Sequence, residues 1–283
     1  MQRTLFSLVL SASLLLVSCS NEDASKTKSS TDSSITNNVT PNIKEEAVTY
    51  NVDGTTFNGF VTYNEAQSGK RPVVLVVPEW WGLNDYPRMR ARMLAEMGYL
   101  AMAVDMYGSG KTASNPQEAQ ALAMPFYQDP KLASTRLYAA MNKIKEYEQA
   151  DMSNAAAIGY CYGGYVVLNA AKQGADLKGV VSFHGNLTGA PVTKDLLKAK
   201  VLVCHGGADK FVPETEIAAF KKSMDSIGAD YAFKVYPNAT HAFTNPDATA
   251  TGKKFTMPIE YNGAADSASW NDMKTFFSTL FNK

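Results

Sequence analysis

Cysteine is scarce in this chain: Cys19, Cys161 and Cys204 are the only three in 283 residues. A secreted scaffold held together by disulfides needs more, and with no Cys-x-x-Cys a dithiol redox motif is excluded. Charge of one sign is lacking too. Lys and Arg number 27 against 27 Asp and Glu, so no bulk field favours nucleic acid or a strongly steered ionic substrate. Histidine is nearly as rare as cysteine, with three, and no His/Cys/Asp group shows zinc-ligand spacing, so no metal site is expected. Long apolar runs are missing beyond the N-terminus, which leaves no other stretch able to cross a bilayer. What remains is 45% hydrophobic residues with 11% aromatics, ample for a packed core.

The one apolar run, Leu5 to Val17, follows an early Arg3 and ends at Leu16-Val17-Ser18-Cys19. It is too short for a comfortable span and reads as an export signal over residues 1–18, with a lipobox-like end that predicts acylation of Cys19. Acyl chains there would anchor the chain to a membrane outside the cytoplasm without spanning it. Residues 19–46 are then a tether: Asn21 to Glu46 is rich in Ser, Thr, Asn, Lys and acids and has no apolar periodicity.

From Ala47 to the end, residues 47–283, the pattern is that of one domain. VTYNV and TTFNGFVTYN predict an entry hairpin turning at Asp53-Gly54. PVVLVV, YLAMAV, AAAIGY, LKGVVSF, AKVLVC and YAFKVY predict six further strands, four of them unbroken apolar runs expected to be covered on both faces. Helices are predicted over Tyr86 to Met97, in segments between Pro116 and Gln149 interrupted at Pro125 and Pro130, after Gly163, over Glu214 to Ile227 and over Ser267 to Phe281. Alternation of this kind implies an α/β fold with a mostly parallel sheet and helices on both faces. Ligands in such sheets sit at the carboxyl ends of the strands, where Glu79, Cys161, Asp209 and His241 all fall.

Gly159-Tyr160-Cys161-Tyr162-Gly163 lies between a predicted strand and a predicted helix. A nucleophile elbow has this shape, with small residues two before and two after the nucleophile, and the helix N-terminus favours a thiolate. The N–H of Tyr162 would point at a developing oxyanion. A thiol nucleophile needs a base and an orienting acid, and Asp209 in HGGADKFVP and His241 in YPNATHAF follow in the order nucleophile, acid, histidine. His184 is expected near the pocket but has no acid placed after it, and His205 is expected to hydrogen-bond within its own turn. Cys204, inside VLVCHG, is expected to be a buried small residue. A Cys161–Cys204 bridge stays open on these grounds, although strand-end residues with diverging Cβ vectors seldom meet disulfide distances.

PEWWGLN, GYLAMAVDMYG, GYCYGG, GADKFVP and ATHAF together resemble the dienelactone hydrolase family of α/β-hydrolases over nearly all of residues 47–283. The resemblance implies an α/β-hydrolase fold and hydrolysis of carboxylic esters or enol-lactones by a Cys161-His241-Asp209 triad without a cofactor. It further implies that Glu79 contacts the resting cysteine and takes part in activating it, and that the Trp80 N–H is the second oxyanion donor. In one respect the chain departs from the family. Members acting on chlorocatechol-derived dienelactones hold the substrate carboxylate with arginines, one shortly after the histidine, where HAFTNPD has Thr244 and Asn245. An uncharged or bulkier ester is therefore at least as plausible, with Trp80, Trp81, Tyr107, Tyr160, Tyr162 and Phe243 as pocket walls, each equally able to serve as plain core. A small-molecule ester or lactone is the expected partner of a monomer. A non-catalytic ligand-binding protein of the envelope on the same fold is the alternative.

Overall fold

The structure, a computed structural model, describes residues 41–281. The export-type segment, Cys19 and the tether up to residue 40 lie outside the described residues.

β1 (Ile43–Val52) and β2 (Thr55–Asn64) pair antiparallel throughout their length. The turn between them places Asp53 at φ 49° and Gly54 at φ 77°, and a two-residue hairpin demands two positive φ angles, which Asp-Gly supplies at low strain. β1 begins at Ile43, inside the stretch expected as tether, because Ile43 to Glu46 pair with Val61 to Asn64 even though three of these four side chains are charged. Backbone pairing there overrides composition.

Six more strands complete one sheet: β3 (Arg71–Val77), β4 (Leu100–Ala103), β5 (Ala150–Tyr160), β6 (Gly179–Phe183), β7 (Lys200–Gly206) and β8 (Tyr231–Tyr236). Their order is β1-β2-β4-β3-β5-β6-β7-β8, antiparallel up to the β2–β4 pair and parallel from β4 onward. Every residue of β3, β4 and β6 is buried, as two-sided cover requires. Alternate residues feed two cores. Val73, Leu75 and Val77 face α3 (Pro130–Ile144), α4 (Tyr162–Lys172) and α5 (Glu214–Ser226). Val74 and Val76 face α1 (Asp85–Glu96) and α7 (Gly263–Phe281). The parallel strands all run toward one edge of the sheet, so their carboxyl ends collect the loops that build the site.

One helical expectation is corrected. Pro125 does not interrupt its helix but lies within α2 (Pro116–Gln128), where it removes only the bond to the carbonyl four residues back. The expected break at Pro130 is present: the Asp129 side chain accepts from the Lys131 N–H at 2.9 Å and starts α3. A further helix, α6 (Ala248–Phe255), forms in ATATGKKF and buries Ala248 and Gly252 on one face. Among the described residues no helix is long and apolar enough to cross a membrane.

Candidate active site

Cys161 joins β5 to α4 at φ 53° and ψ −117°, a left-handed conformation that costs a non-glycine residue about 1–3 kcal/mol. Close backbone approach dictates its neighbours. A Cβ on Gly159 would sit 2.0 Å from the Gly163 carbonyl oxygen, and one on Gly163 would sit 2.3 Å from that of Val77. The Cys161 N–H donates to the Phe183 carbonyl at 3.0 Å and to His184 Nδ1 at 3.1 Å. Its side chain caps nothing, which leaves the thiol free at the helix N-terminus. The N–H of Tyr162, the first of α4, has no intrahelical acceptor.

His241 follows β8, and its Nδ1 lies 2.8 Å from Asp209 Oδ2, with the Asp209 carboxylate fully buried. The other oxygen, Oδ1, accepts from the Phe211 N–H at 2.8 Å. An ionised carboxylate only accepts, so Nδ1 carries a proton and Nε2 is left for the hydrogen bond that His241 makes with Cys161. Burial disfavours the imidazolium. Its interaction with Cys161 and its bond to Asp209 outweigh that and hold the histidine well above its ordinary pKa.

Glu79, three per cent exposed, enters from the loop after β3. Burial pushes its carboxyl up to about 7, against the hydrogen bond from Asn245 and the charge of His241. Its Oε2 accepts from Asn245 Nδ2 at 2.6 Å, so the glutamate's bonded partner is that amide, while Cys161 is bonded to His241. Glu79 and Cys161 line the same cavity, and the amide on Glu79 belongs to Asn245, one of the two residues standing where the resemblance expects an arginine. Cys161 and Cys204 are both free thiols, and burial pushes the Cys204 thiol up to about 12.

Glu79, Cys161 and His241 open on a cavity of about 350 Å³. Trp80, Trp81, Met124, Tyr127, Phe211 and Ile259 are among its wall residues, and among the described residues no Lys or Arg lines it. Trp81 is held from behind by Phe255 of α6, with ring centroids 6.0 Å apart. Four aromatic wall assignments are corrected. Tyr160 points into the α1/α7 core and stacks on Phe183 at 4.8 Å, and Phe243 is fully buried against His184 and Tyr236. The Tyr162 ring is buried between Tyr107, Phe126 and Tyr127 and does not line the cavity. Tyr107 lies behind the wall and donates from its hydroxyl to the Trp80 carbonyl at 2.9 Å, which fixes that turn. His184 is buried beneath the elbow and does not border the cavity, and His205 packs on Phe233 at 5.7 Å instead of bonding within its turn. Met124 and Tyr127 of α2 and Phe211 of the acid loop are wall residues the sequence reading missed. Phe211 has a signal in its position on the loop after β7, whereas Met124 and Tyr127 lie late in α2, where no local pattern marks them.

A parallel sheet with a cysteine on the tight β5–α4 turn and a histidine–aspartate pair on the loops after β8 and β7 is an α/β-hydrolase. More narrowly, the chain belongs to the dienelactone hydrolase family, whose profile matches residues 57–281, and is a hydrolase of that family. A Methylorubrum extorquens protein named carboxymethylenebutenolidase is 32% identical over 63% of this chain and 65% of its own length. One of the same name from Yersinia pestis is 29% identical over 65% of this chain and 73% of its own. The crystal structure of a dienelactone hydrolase-like promiscuous phosphotriesterase from metagenomic libraries superposes with a TM-score of 0.79 at 33% identity, covering 84% of this chain and 98% of that one.

Proposed function

We propose that the protein hydrolyses uncharged carboxylic esters or lactones through an acyl-thioenzyme on Cys161. The observation that carries this reading is His241 bonded on one side to buried Asp209 and on the other to Cys161, at the mouth of an apolar cavity. With its proton already on His241 Nε2, Cys161 Sγ attacks the carbonyl carbon as a thiolate. The carbonyl electron pair moves to oxygen, where the N–H groups of Trp80 and Tyr162 receive it. Collapse expels the alkoxide, which takes the proton from His241 and leaves a thioester. Water, deprotonated by His241, attacks that thioester; the acid departs and the Cys161 thiolate reforms.

The cavity argues for the substrate's charge. With no Lys or Arg in its wall, a substrate carboxylate would enter desolvated and unpaired beside Glu79, at a cost of several kcal/mol. Aromatic and thioether walls favour an aryl or alkyl group instead. The metagenomic relative is itself named for activity on phosphotriesters. On purified residues 41–283, phenyl and p-nitrophenyl esters and neutral lactones are expected to outpace their carboxylate-bearing counterparts at least tenfold in kcat/KM. Equal or better turnover of the anionic series would overturn the assignment of an uncharged substrate.

The same reading holds the enzyme to a membrane outside the cytoplasm by acyl chains on Cys19, with residues 20–40 as spacer. In a bacterial host, metabolic labelling with an alkyne fatty acid should tag the full chain and not Cys19→Ala. Label retained in that variant removes the anchor from the proposal.

A further inference from the structure

The side chain of His184 reaches both the nucleophile's backbone and the loop that carries the base. His184 closes β6 at φ 42°, itself left-handed, with its ring fully buried. Nδ1 accepts from the Cys161 N–H at 3.1 Å, so the proton of a neutral ring lies on Nε2, which donates to Thr244 Oγ1 at 2.7 Å. Thr244 is three residues beyond His241. Its hydroxyl also meets the Tyr86 hydroxyl at 2.6 Å, and its carbonyl accepts from Arg90 Nη2 at 2.6 Å. Arg90 is in turn held by Asp266 at 2.5 Å and reaches the Tyr86 hydroxyl through Nε at 3.4 Å. The His184 ring packs edge-on against His241, with centroids 5.2 Å apart.

These contacts make one connected chain from the strained elbow, through a buried imidazole, to the histidine loop and on to α1 and α7. Two strained residues that face each other across β5 and β6, Cys161 and His184, share a hydrogen bond. Relaxation of one therefore moves the other, and with it the thiol, the Tyr162 N–H and the start of α4. On the far side the bond to Thr244 fixes the loop from His241 to Asn245, which sets His241 against Cys161 and Asn245 against Glu79. Burial, with the charges of His241 and Arg90 beside it, keeps His184 well below the ordinary histidine pKa. The neutral state its acceptor role requires is thus the one its surroundings favour, and of the two adjacent rings only His241 carries charge.

We infer that His184 is a positioning residue that sets the distance and alignment between Cys161 and His241 by bridging the elbow N–H to Thr244. This inference rests on Cys161 being the nucleophile and His241 its base. A cysteine–histidine pair loosened by a fraction of an ångström transfers its proton less readily, and misplacement on the 1 Å scale costs up to about 100-fold in rate. Binding in the cavity, whose wall excludes His184, is left as it was.

The test compares His184→Phe, which keeps the ring's bulk and loses both bonds, with His184→Asn, which can return an acceptor to the Cys161 N–H. Thr244→Val removes the far partner alone, and the His184→Phe/Thr244→Val double variant closes the cycle. Each is assayed for kcat and KM on phenyl acetate and for the pH profile of Cys161 alkylation by iodoacetamide, beside Cys161→Ala. His184→Phe is expected to lose roughly 10–100-fold in kcat at unchanged KM, with its alkylation profile moved to higher pH and partial recovery in His184→Asn. Thr244→Val should lose kcat in the same sense, and the double variant no more than the worse single one. Parental kcat and alkylation profile in His184→Phe, additive losses, or a change confined to KM would overturn the positioning role. If His184→Phe does not fold, Thr244→Val decides alone: a parental rate and profile there end the proposal. Turnover retained by Cys161→Ala would instead fail the nucleophile reading, whereas an inert Cys161→Ala with a fully active His184→Phe fails only this inference.

Discussion

Cys161→Ala is expected to lower kcat on neutral aryl esters by at least ~10³-fold while leaving KM within a few-fold, since removal of a triad nucleophile leaves only the contribution of oxyanion donors and binding. Alanine meets the same strain at φ 53° as cysteine does, and the Cys161 N–H bonds to Phe183 and His184 are made by backbone, so the elbow should persist. Loss of activity can then be assigned to loss of the sulfur. Intact-mass measurement during turnover of a slow ester should find the acyl adduct on the parent and none on the variant. Turnover by Cys161→Ala within tenfold of the parent would remove the thiol from the mechanism. Cys161→Ser is a finer probe. A hydroxyl at the same atom position must give up a far less acidic proton to His241, so it should fall between parent and alanine variant.

The elements that carry the site were readable because each rests on local chemistry. Asp53-Gly54 can close a hairpin by itself, and four of the core strands announce two-sided burial by their apolar runs. The elbow was readable because Gly159 and Gly163 stand where a Cβ would meet backbone at 2.0 and 2.3 Å, a constraint that leaves no other residue. Cys161, Asp209 and His241 could be placed at one sheet edge because parallel topology brings strand ends together. What sequence did not disclose depends on phase or on distance. Tyr160 ends β5, where a one-residue phase decides which sheet face the side chain meets, and it falls to the core side; Phe243 lies in the loop beyond β8 and is buried there by tertiary packing. α6 is short and buries only Ala248 and Gly252, so it is positioned by tertiary contacts such as Phe255 on Trp81. The bond of His184 to the Cys161 N–H spans 23 residues and two strands, and no local pattern marks it. Asn245 was noticed for what it is not, an arginine; its hydrogen bond to Glu79, 166 residues away, required the fold.

That hydrogen bond leads to the second large effect, on stability. Glu79 has an ordinary carboxyl pKa of 4.5 when unfolded and is pushed up to about 7 in the folded protein, chiefly by burial. Below pH 4.5 the group is neutral in both states and costs nothing. Between 4.5 and 7 the unfolded chain ionises while the folded one holds its proton, so stability is lost as pH rises; above 7 the whole loss is present. A rise of that size corresponds to about 3 kcal/mol. Glu79→Gln keeps the shape and an oxygen able to accept from Asn245 Nδ2, and it does not ionise. The variant should therefore be more stable than the parent at pH 8, by up to about 3 kcal/mol, or on the order of 5–10 °C in Tm for a domain of this size. The gain should shrink toward zero by pH 4, and taking the difference between the two proteins cancels every other titrating group. It should be accompanied by lower activity, because a neutral amide beside His241 removes the charge that the buried carboxyl can offer the imidazolium during turnover. The function would then explain why a group that destabilises the fold at neutral pH is kept at the cavity mouth. A Tm difference that is flat between pH 4 and pH 8 would show that Glu79 ionises as freely in the folded protein as in the unfolded chain, and would withdraw its desolvated state from the account of the site.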